Sequence, residues 1–214
     1  MSMYKTFTFY ALCMLFTFSL TAADTGSLSG EVLVKQRIKS KGATSQKDFI
    51  VYLIEVPSYK SAGAKIHTVD QNQMQFKPHV TVIVKGDSVV FKNSDKFKHN
   101  IFSEDACCKI NKNTEVNGTL NKTINGLGAI SFICNIHPEM QTYVLSLANP
   151  YFSKAELSRE KVDGKSVYKG SYKIENIPVG KYKVTTWNKK LKPVDFEVEI
   201  KASQETKHNI TIDK

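Results

Sequence analysis

The chain is short of the residues that build unusual architectures. Four cysteines among 214 residues are too few for a scaffold held by disulfides. Eleven glycines and six prolines exclude collagen-like and low-complexity readings. The five histidines form no His-x-His pair, which excludes a multicopper oxidase built on this chain alone. After the first two dozen residues no stretch is apolar enough to span a membrane. What remains is an ordinary globular composition, 41% hydrophobic and 23% charged, sized for one large domain or two small ones. The excess of Lys and Arg is large, with a net charge of +10. That balance allows nucleic acid, a membrane surface or an acidic protein as partner and does not choose among them.

The first residues read as a leader. Lys5 is followed by a charge-free run from Phe7 to Leu20, and then by Thr21, Ala22 and Ala23 before Asp24. A basic start, a short apolar stretch and small residues ahead of a polar one describe a secretory signal peptide over residues 1–23, cleaved after Ala23. The apolar run is shorter than the ~20 residues a transmembrane helix needs. Cleavage removes a single charge, Lys5, so the exported chain stays basic and has no membrane span.

The rest alternates apolar and polar residues in short runs rich in β-branched and aromatic side chains. Examples are Val80–Val84, Ser88–Phe91, Ile130–Ile133, Tyr143–Leu147, Tyr182–Trp187 and Phe196–Ile200. Turn formers separate them: Lys85-Gly86-Asp87, Asn125-Gly126, Asp163-Gly164 and Pro178-Val179-Gly180. Many short strands at this spacing predict an all-β sandwich or barrel. Ser153 to Lys161 is expected to form a short helix. The polar, basic stretches 35–48 and 58–65 are expected to be loops.

One constellation carries chemistry. In Phe132-Ile133-Cys134-Asn135-Ile136-His137-Pro138-Glu139-Met140 a thiol, an imidazole and a thioether recur every three residues where a strand ends and a loop begins. His99 is expected on another loop, after the strand ending at Phe91. Two imidazoles, a thiolate and a weak thioether form the ligand set of a blue-copper site. Such a set accepts both Cu(I) and Cu(II), which suits one-electron transfer. Zinc prefers four strong donors, and Met140 is a poor fourth. A dinuclear copper site needs a second cysteine where Ile130 stands. Taken singly, Cys134 reads as a buried thiol and His137 as an ordinary loop residue.

On these residues the chain resembles the cupredoxins. Cys134-x2-His137-x2-Met140 has the spacing of the amicyanin ligand loop, including the His137-Pro138 pair. His99-Asn100-Ile101-Phe102, with Asn93 before it, is similar to the plastocyanin-type segment that holds the first histidine, and Gly86–Asn93 to the strand leading into it. The resemblance runs from about Ile66 to Leu147. It implies one type 1 copper ion bound by His99, Cys134 and His137, with Met140 as the weak axial ligand. It also implies that Asn100 sits beside the thiolate and locks the two ligand segments together. His137 would be the exposed ligand, ringed by a partner-docking rim of Phe97, Ile136 and Pro138.

The flanks suggest a second unit. Leu28–Val34, Val51–Ile54 and Gly170–Val184, with its Ile177-Pro178-Val179-Gly180-Lys181-Tyr182 turn, are similar to a carboxypeptidase-regulatory-like β-sandwich. The expected organisation is a cupredoxin Greek-key sandwich over residues 66–148, inserted in a second, smaller sandwich made of 27–57 plus 149–213. This arrangement resembles methylamine-utilisation-like exported bacterial proteins. A single larger sandwich is the competing organisation. Cys107 and Cys108 are adjacent and unassigned. They read as solvent-facing thiols, an intermolecular disulfide or a Cu(I) capture site, and a Cys107–Cys134 disulfide would remove the copper thiolate. His67, His79 and His208 have no ligand partner in sequence and read as surface or loop residues.

The expectation is therefore a periplasmic blue-copper electron carrier and not an enzyme. Its partner would be a redox protein such as a c-type cytochrome or a dehydrogenase, acidic by charge complementarity, with no role for nucleic acid. The alternative with the same ligands is a copper-binding carrier or copper-tolerance protein. A structural adhesion module is the reading without a metal.

Overall fold

The computed structural model describes residues 24–35 and 48–213. The signal peptide expected over 1–23, and all but the ends of the basic loop expected over 35–48, lie outside the described residues. The described chain begins with β1 (Thr25–Val34) and β2 (Asp48–Leu53). A block of nine strands follows: β3 (Ile66–Gln71), β4 (Phe76–Lys77), β5 (Val80–Val84), β6 (Ser88–Asn93), β7 (His99–Ser103), β8 (Ile110–Thr114), β9 (Thr119–Thr123), β10 (Gly128–Ile133) and β11 (Gln141–Leu147). The chain then closes through β12 (Phe152–Glu156), β13 (Ser158–Val162), β14 (Lys165–Pro178), β15 (Gly180–Trp187), β16 (Phe196–Ile200), β17 (Glu205–Lys207) and β18 (Ile210–Ile212). Among the described residues there is no helix, and so none long and apolar enough to cross a membrane.

Four sheets result. The flanking strands supply the first, β13-β14-β1-β17 with β18 also on β1, and the second, β12-β2-β15-β16. The central block supplies the third, β4-β3-β6-β9, and the fourth, β5-β11-β10-β7-β8. The fold is thus an all-β sandwich inserted in another, with nine described strands in each. Leu28, Val32, Phe49, Val51, Leu53, Val184 and Ile200 lie in the core of the flanking sandwich. Val69, Phe91, Ile101, Phe132, Cys134, Met140 and Val144 lie in the core of the inserted one.

A third cluster joins the two. Ile50 of β2 packs with Leu145 and Leu147 of β11, and Tyr52, Val82, Phe152 and Trp187 close around them. Side chains alternate across a strand. Phe49 and Val51 therefore fill the flanking core while Ile50 points to the junction. By the same rule Val144 fills the inserted core and Leu145 faces out. The second and fourth sheets are each buried on both faces here. Polar links edge this seam. The Asp48 carboxylate accepts from Lys154 Nζ and lies 3.2 Å from His79 Nδ1, and the Tyr143 and Trp187 rings sit 5.5 Å apart.

The helix expected over Ser153–Lys161 is absent. Those residues form β12 and β13, because β12 pairs with β2 and β13 with β14. Ala155 and Leu157 are buried, two apart, and register in a sheet overrides the helical propensity of Ala, Glu and Leu. Residues 58–65 are irregular, as expected of a loop.

Candidate metal centre

Sheet four brings the donors together. Strands β10 and β11 pair antiparallel up to Ile133↔Gln141, so residues 134–140 are the loop between them. That loop folds on itself: the Met140 N–H donates to the His137 carbonyl (2.9 Å) and the Cys134 N–H to the Met140 carbonyl (3.1 Å). Strand β10 also pairs with β7 through Ile133↔Phe102. His99 opens β7 and is not on a loop as expected, because its pairing with Thr114 of β8 already belongs to the sheet.

His99, Cys134 and His137 converge, with one ligand atom from each within 4.8 Å of the others. Cys134 Sγ lies 3.9 Å from His99 Nδ1 and 3.9 Å from His137 Nδ1, and the two Nδ1 atoms are 3.1 Å apart. Metal–imidazole bonds of about 2.0 Å and a metal–thiolate bond of about 2.3 Å fit separations of this size around one ion. The donor set, one soft thiolate and two imidazoles, suits copper. Met140 is buried in the same core cluster as Cys134, and its backbone holds the loop closed. His99 and Cys134 are fully buried, whereas His137 is partly exposed.

Asn100 lies beside the sulfur. Its backbone N–H donates to Cys134 Sγ (3.4 Å), and its side-chain Oδ1 accepts from the Asn135 N–H (3.4 Å), which ties β7 to the ligand loop. Its Nδ2 donates to Asn111 Oδ1 (3.0 Å) and Asn113 Oδ1 (3.2 Å) of β8, fixing the amide's orientation. Gln71, itself held by Thr114 Oγ1, donates to the Asn100 carbonyl. The buried polar side chains of Gln71, Asn100 and Thr114 are thereby hydrogen-bonded, as burial requires.

Sequence reasoning missed Asp95. Its Oδ2 lies 2.8 Å from His99 Nε2, so the acceptor holds that ring's proton on Nε2 and leaves the Nδ1 lone pair facing the other donors. The same carboxylate accepts from the Gln73 N–H (2.7 Å) and the Met74 N–H (3.0 Å). Burial pushes the Asp95 carboxyl up, but hydrogen bonds from the Met74 N–H, His99 and the Gln73 N–H outweigh it and hold the pKa below the usual carboxylate value. Gln73 and Met74 both have positive φ, 56° each, in a tight turn closed by the Asn72 N–H and the Gln75 carbonyl. Met74 in this turn is 40% exposed, nearly as exposed as Phe97 (43%) and Ile136 (46%). Pro138 is exposed as well, and the Phe97 ring lies 5.7 Å from that of His137. The only hint in sequence was Asp95 four residues before a histidine, in a segment led by Asn93.

The other singled-out residues lie elsewhere. Cys107, Cys108 and Cys134 are free thiols, so there is no Cys107–Cys134 disulfide. His67 pairs with Asp87, His79 with Asp48, and the His208 ring stacks on Phe196. All three are half-buried structural residues rather than simple surface ones.

Residues 64–145 match the model of the copper binding proteins of the plastocyanin/azurin family. Among solved structures, a single-residue mutant of amicyanin in the Cu(I) form is 19% identical, with 41% of this chain and 85% of that chain covered and a TM-score of 0.36. Amicyanin from Paracoccus versutus is 17% identical, covering 45% of this chain and 96% of that one, at a TM-score of 0.35. A purple cupredoxin from Nitrosopumilus maritimus is 19% identical, covering 37% and 98%, at 0.34. Likeness at these scores carries no functional inference. No curated protein matches the chain. The inserted sandwich is a cupredoxin, a domain of the copper-binding plastocyanin/azurin kind, carried within a longer chain.

Proposed function

We propose that this protein is an exported carrier of single electrons, with one type 1 copper ion held by His99, Cys134 and His137 and weakly by Met140. The observation that carries the reading is the convergence of two Nδ1 atoms on one buried thiol whose sulfur also receives the Asn100 N–H. A copper ion bound there supplies a one-electron couple and leaves the protein no bond-making step to catalyse. The residues do the rest. Asn100, Asn135 and the closed 134–140 loop fix the sulfur, and Asp95 fixes the His99 ring. Buried side chains of the core keep water from the thiolate. Rigid, dry donors need little rearrangement when charge changes by one unit, which speeds electron transfer.

Of the four proposed ligands only His137 reaches solvent, among Phe97, Ile136 and Pro138. This rim suits brief apolar docking. The basic charge of the chain favours an acidic redox partner, a c-type cytochrome or a dehydrogenase. The leader-like residues 1–23 support export to a periplasm. The test is a visible and electron-spin spectrum of the copper-loaded chain. Intense thiolate-to-Cu(II) absorption is expected, lost in Cys134→Ser and retained when Cys107 and Cys108 are both changed to Ser. Colour that survives Cys134→Ser refutes the assignment.

A further inference from the structure

Two thiols of the inserted sandwich take no part in the metal centre. Cys107 and Cys108 sit in the turn between β7 and β8, and they face different surroundings: Cys107 is exposed, while Cys108 is fully buried in the core. The two side chains leave one turn from adjacent residues, so neither sulfur needs a distant segment to bring it near the other. Gly126 makes room for Cys107. A Cβ there would lie 2.6 Å from both Cβ and Sγ of Cys107, so the missing side chain lets Cys107 tuck against the neighbouring segment. The turn is firmly held. The Cys108 N–H donates to the Asp105 carbonyl (2.8 Å), and the Asp105 carboxylate accepts from the Ser131 N–H of β10 (2.8 Å).

We propose that Cys107 and Cys108 form a reversible dithiol–disulfide site, a two-electron couple distinct from the metal centre, whose oxidant is an organic disulfide. The exposed Cys107 thiolate attacks one sulfur of the incoming disulfide. This forms a mixed disulfide and releases one thiolate, which takes up the proton that Cys107 lost. The Cys108 sulfur then attacks the Cys107 sulfur. The second thiolate leaves with the Cys108 proton, and the 107–108 bond closes. The protein loses two electrons and two protons, and the reagent becomes two thiols.

The division of labour follows from burial. Desolvation, reinforced by the neighbouring Cys107 thiol, pushes the Cys108 thiol up to about 12. Cys108 is therefore a protonated thiol in the resting site and does not meet the reagent. It becomes the attacking thiolate only as its proton passes to the thiolate released in the first step, and it then reaches only the Cys107 sulfur beside it. Adjacent Cα atoms are about 3.8 Å apart, whereas ordinary disulfides span about 4.4–6.8 Å. The closed ring is therefore strained and easily reduced, as suits a switchable bond rather than a structural one.

The experiment treats the full chain with oxidised glutathione and follows intact mass and peptide maps. The expected product has lost two hydrogens, keeps no glutathione, carries its link between Cys107 and Cys108, and returns to two thiols in excess reduced glutathione. Cys108→Ser should instead retain one glutathione on Cys107, and Cys107→Ser should not react. If Cys108→Ser fails to fold, rapid quenching of the unaltered chain should trap the same adduct briefly. A lasting adduct on Cys107 of the unaltered chain, a link to Cys134 or to a second chain, or no reaction at all would each overturn the proposal. The expected product involves only Cys107 and Cys108, neither of them in the metal centre, so this test can fail while the electron-carrier reading stands, and the reverse.

Discussion

Leu145→Ala probes the seam between the two sandwiches. Leu145 is 1% exposed, and it packs with Ile50 and Leu147 in the cluster that the second and fourth sheets share. Truncation removes buried carbons and leaves a cavity that sheets on both sides resist closing. Leu→Ala at such sites costs about 2–5 kcal/mol. With a urea dependence of about 2 kcal/mol per molar, the unfolding midpoint should fall by about 1–2.5 M. The loss should also change the character of unfolding. Leu145 belongs to neither interior core, so its removal weakens the coupling between the sandwiches more than either one. The assay is urea titration with two probes, the fluorescence of the single tryptophan Trp187, which borders the cluster, and far-UV circular dichroism. The two transitions should coincide in the unaltered chain and separate in the variant, with Trp187 moving first. Val144→Ala, on the inner face of the same strand, should lower stability without separating them, and Ile66→Ala, at a 72% exposed position, should change stability by less than about 0.5 kcal/mol. A Leu145→Ala loss below about 1 kcal/mol with coincident probes would refute a shared core.

Further outcomes follow from the polar residues. Asp95→Asn should weaken copper binding by about 10–100-fold in a competition titration and move the visible spectrum, because the amide holds the His99 Nε2 proton less well than a carboxylate does. Asp95→Glu should restore part of both, and an unchanged spectrum in Asp95→Asn would show that His99 is oriented by packing alone. Asp87 is pushed up by burial but held lower overall by the Lys65 N–H, His67 and the Val84 N–H, so its folded pKa lies below 3.8. Its stabilising contribution is full above the unfolded value and is lost as pH falls through the lower folded one. The gap in stability between the unaltered chain and Asp87→Asn, about 1–3 kcal/mol at neutral pH by urea titration, should therefore close on acidification; a gap independent of pH would contradict the linkage. Electron transfer to an acidic cytochrome, followed by stopped flow, should slow as salt is added, since added ions screen attraction beyond about 10 Å at 0.1 M. A flat dependence would assign docking to Phe97 and Ile136 instead.

Local spacing made part of this protein legible as a sequence. Cys134, His137 and Met140 fall in one loop between two alternating runs, and a hairpin loop of that length has few ways to close, so their meeting needed no knowledge of distant strands. His99-Asn100 could be matched to them by resemblance, although its place at the start of β7 rather than on a loop depends on pairing with β8. The alternating runs marked most strands for the same reason, that one buried face imposes a period of two. That rule falls silent where both faces are covered. Phe49-Ile50-Val51-Tyr52-Leu53 is a nearly unbroken apolar run, and only the stacked sheets show that Ile50 serves the seam while its neighbours serve a core. Asp95, Asn111 and Asn113 look like ordinary polar residues in sequence. Their roles arise because the folded backbone turns Asp95 onto the His99 ring and the Met74 N–H, and because β8 pairs with β7 so that Asn111 and Asn113 meet Asn100. Ala155 and Glu156 read as helix formers until β2 offers them Phe49 and Asp48 as pairing partners. Ligand spacing and alternation act over a few residues and can be read there. Hydrogen bonds between strands and burial on a second face depend on neighbours that only the folded chain supplies.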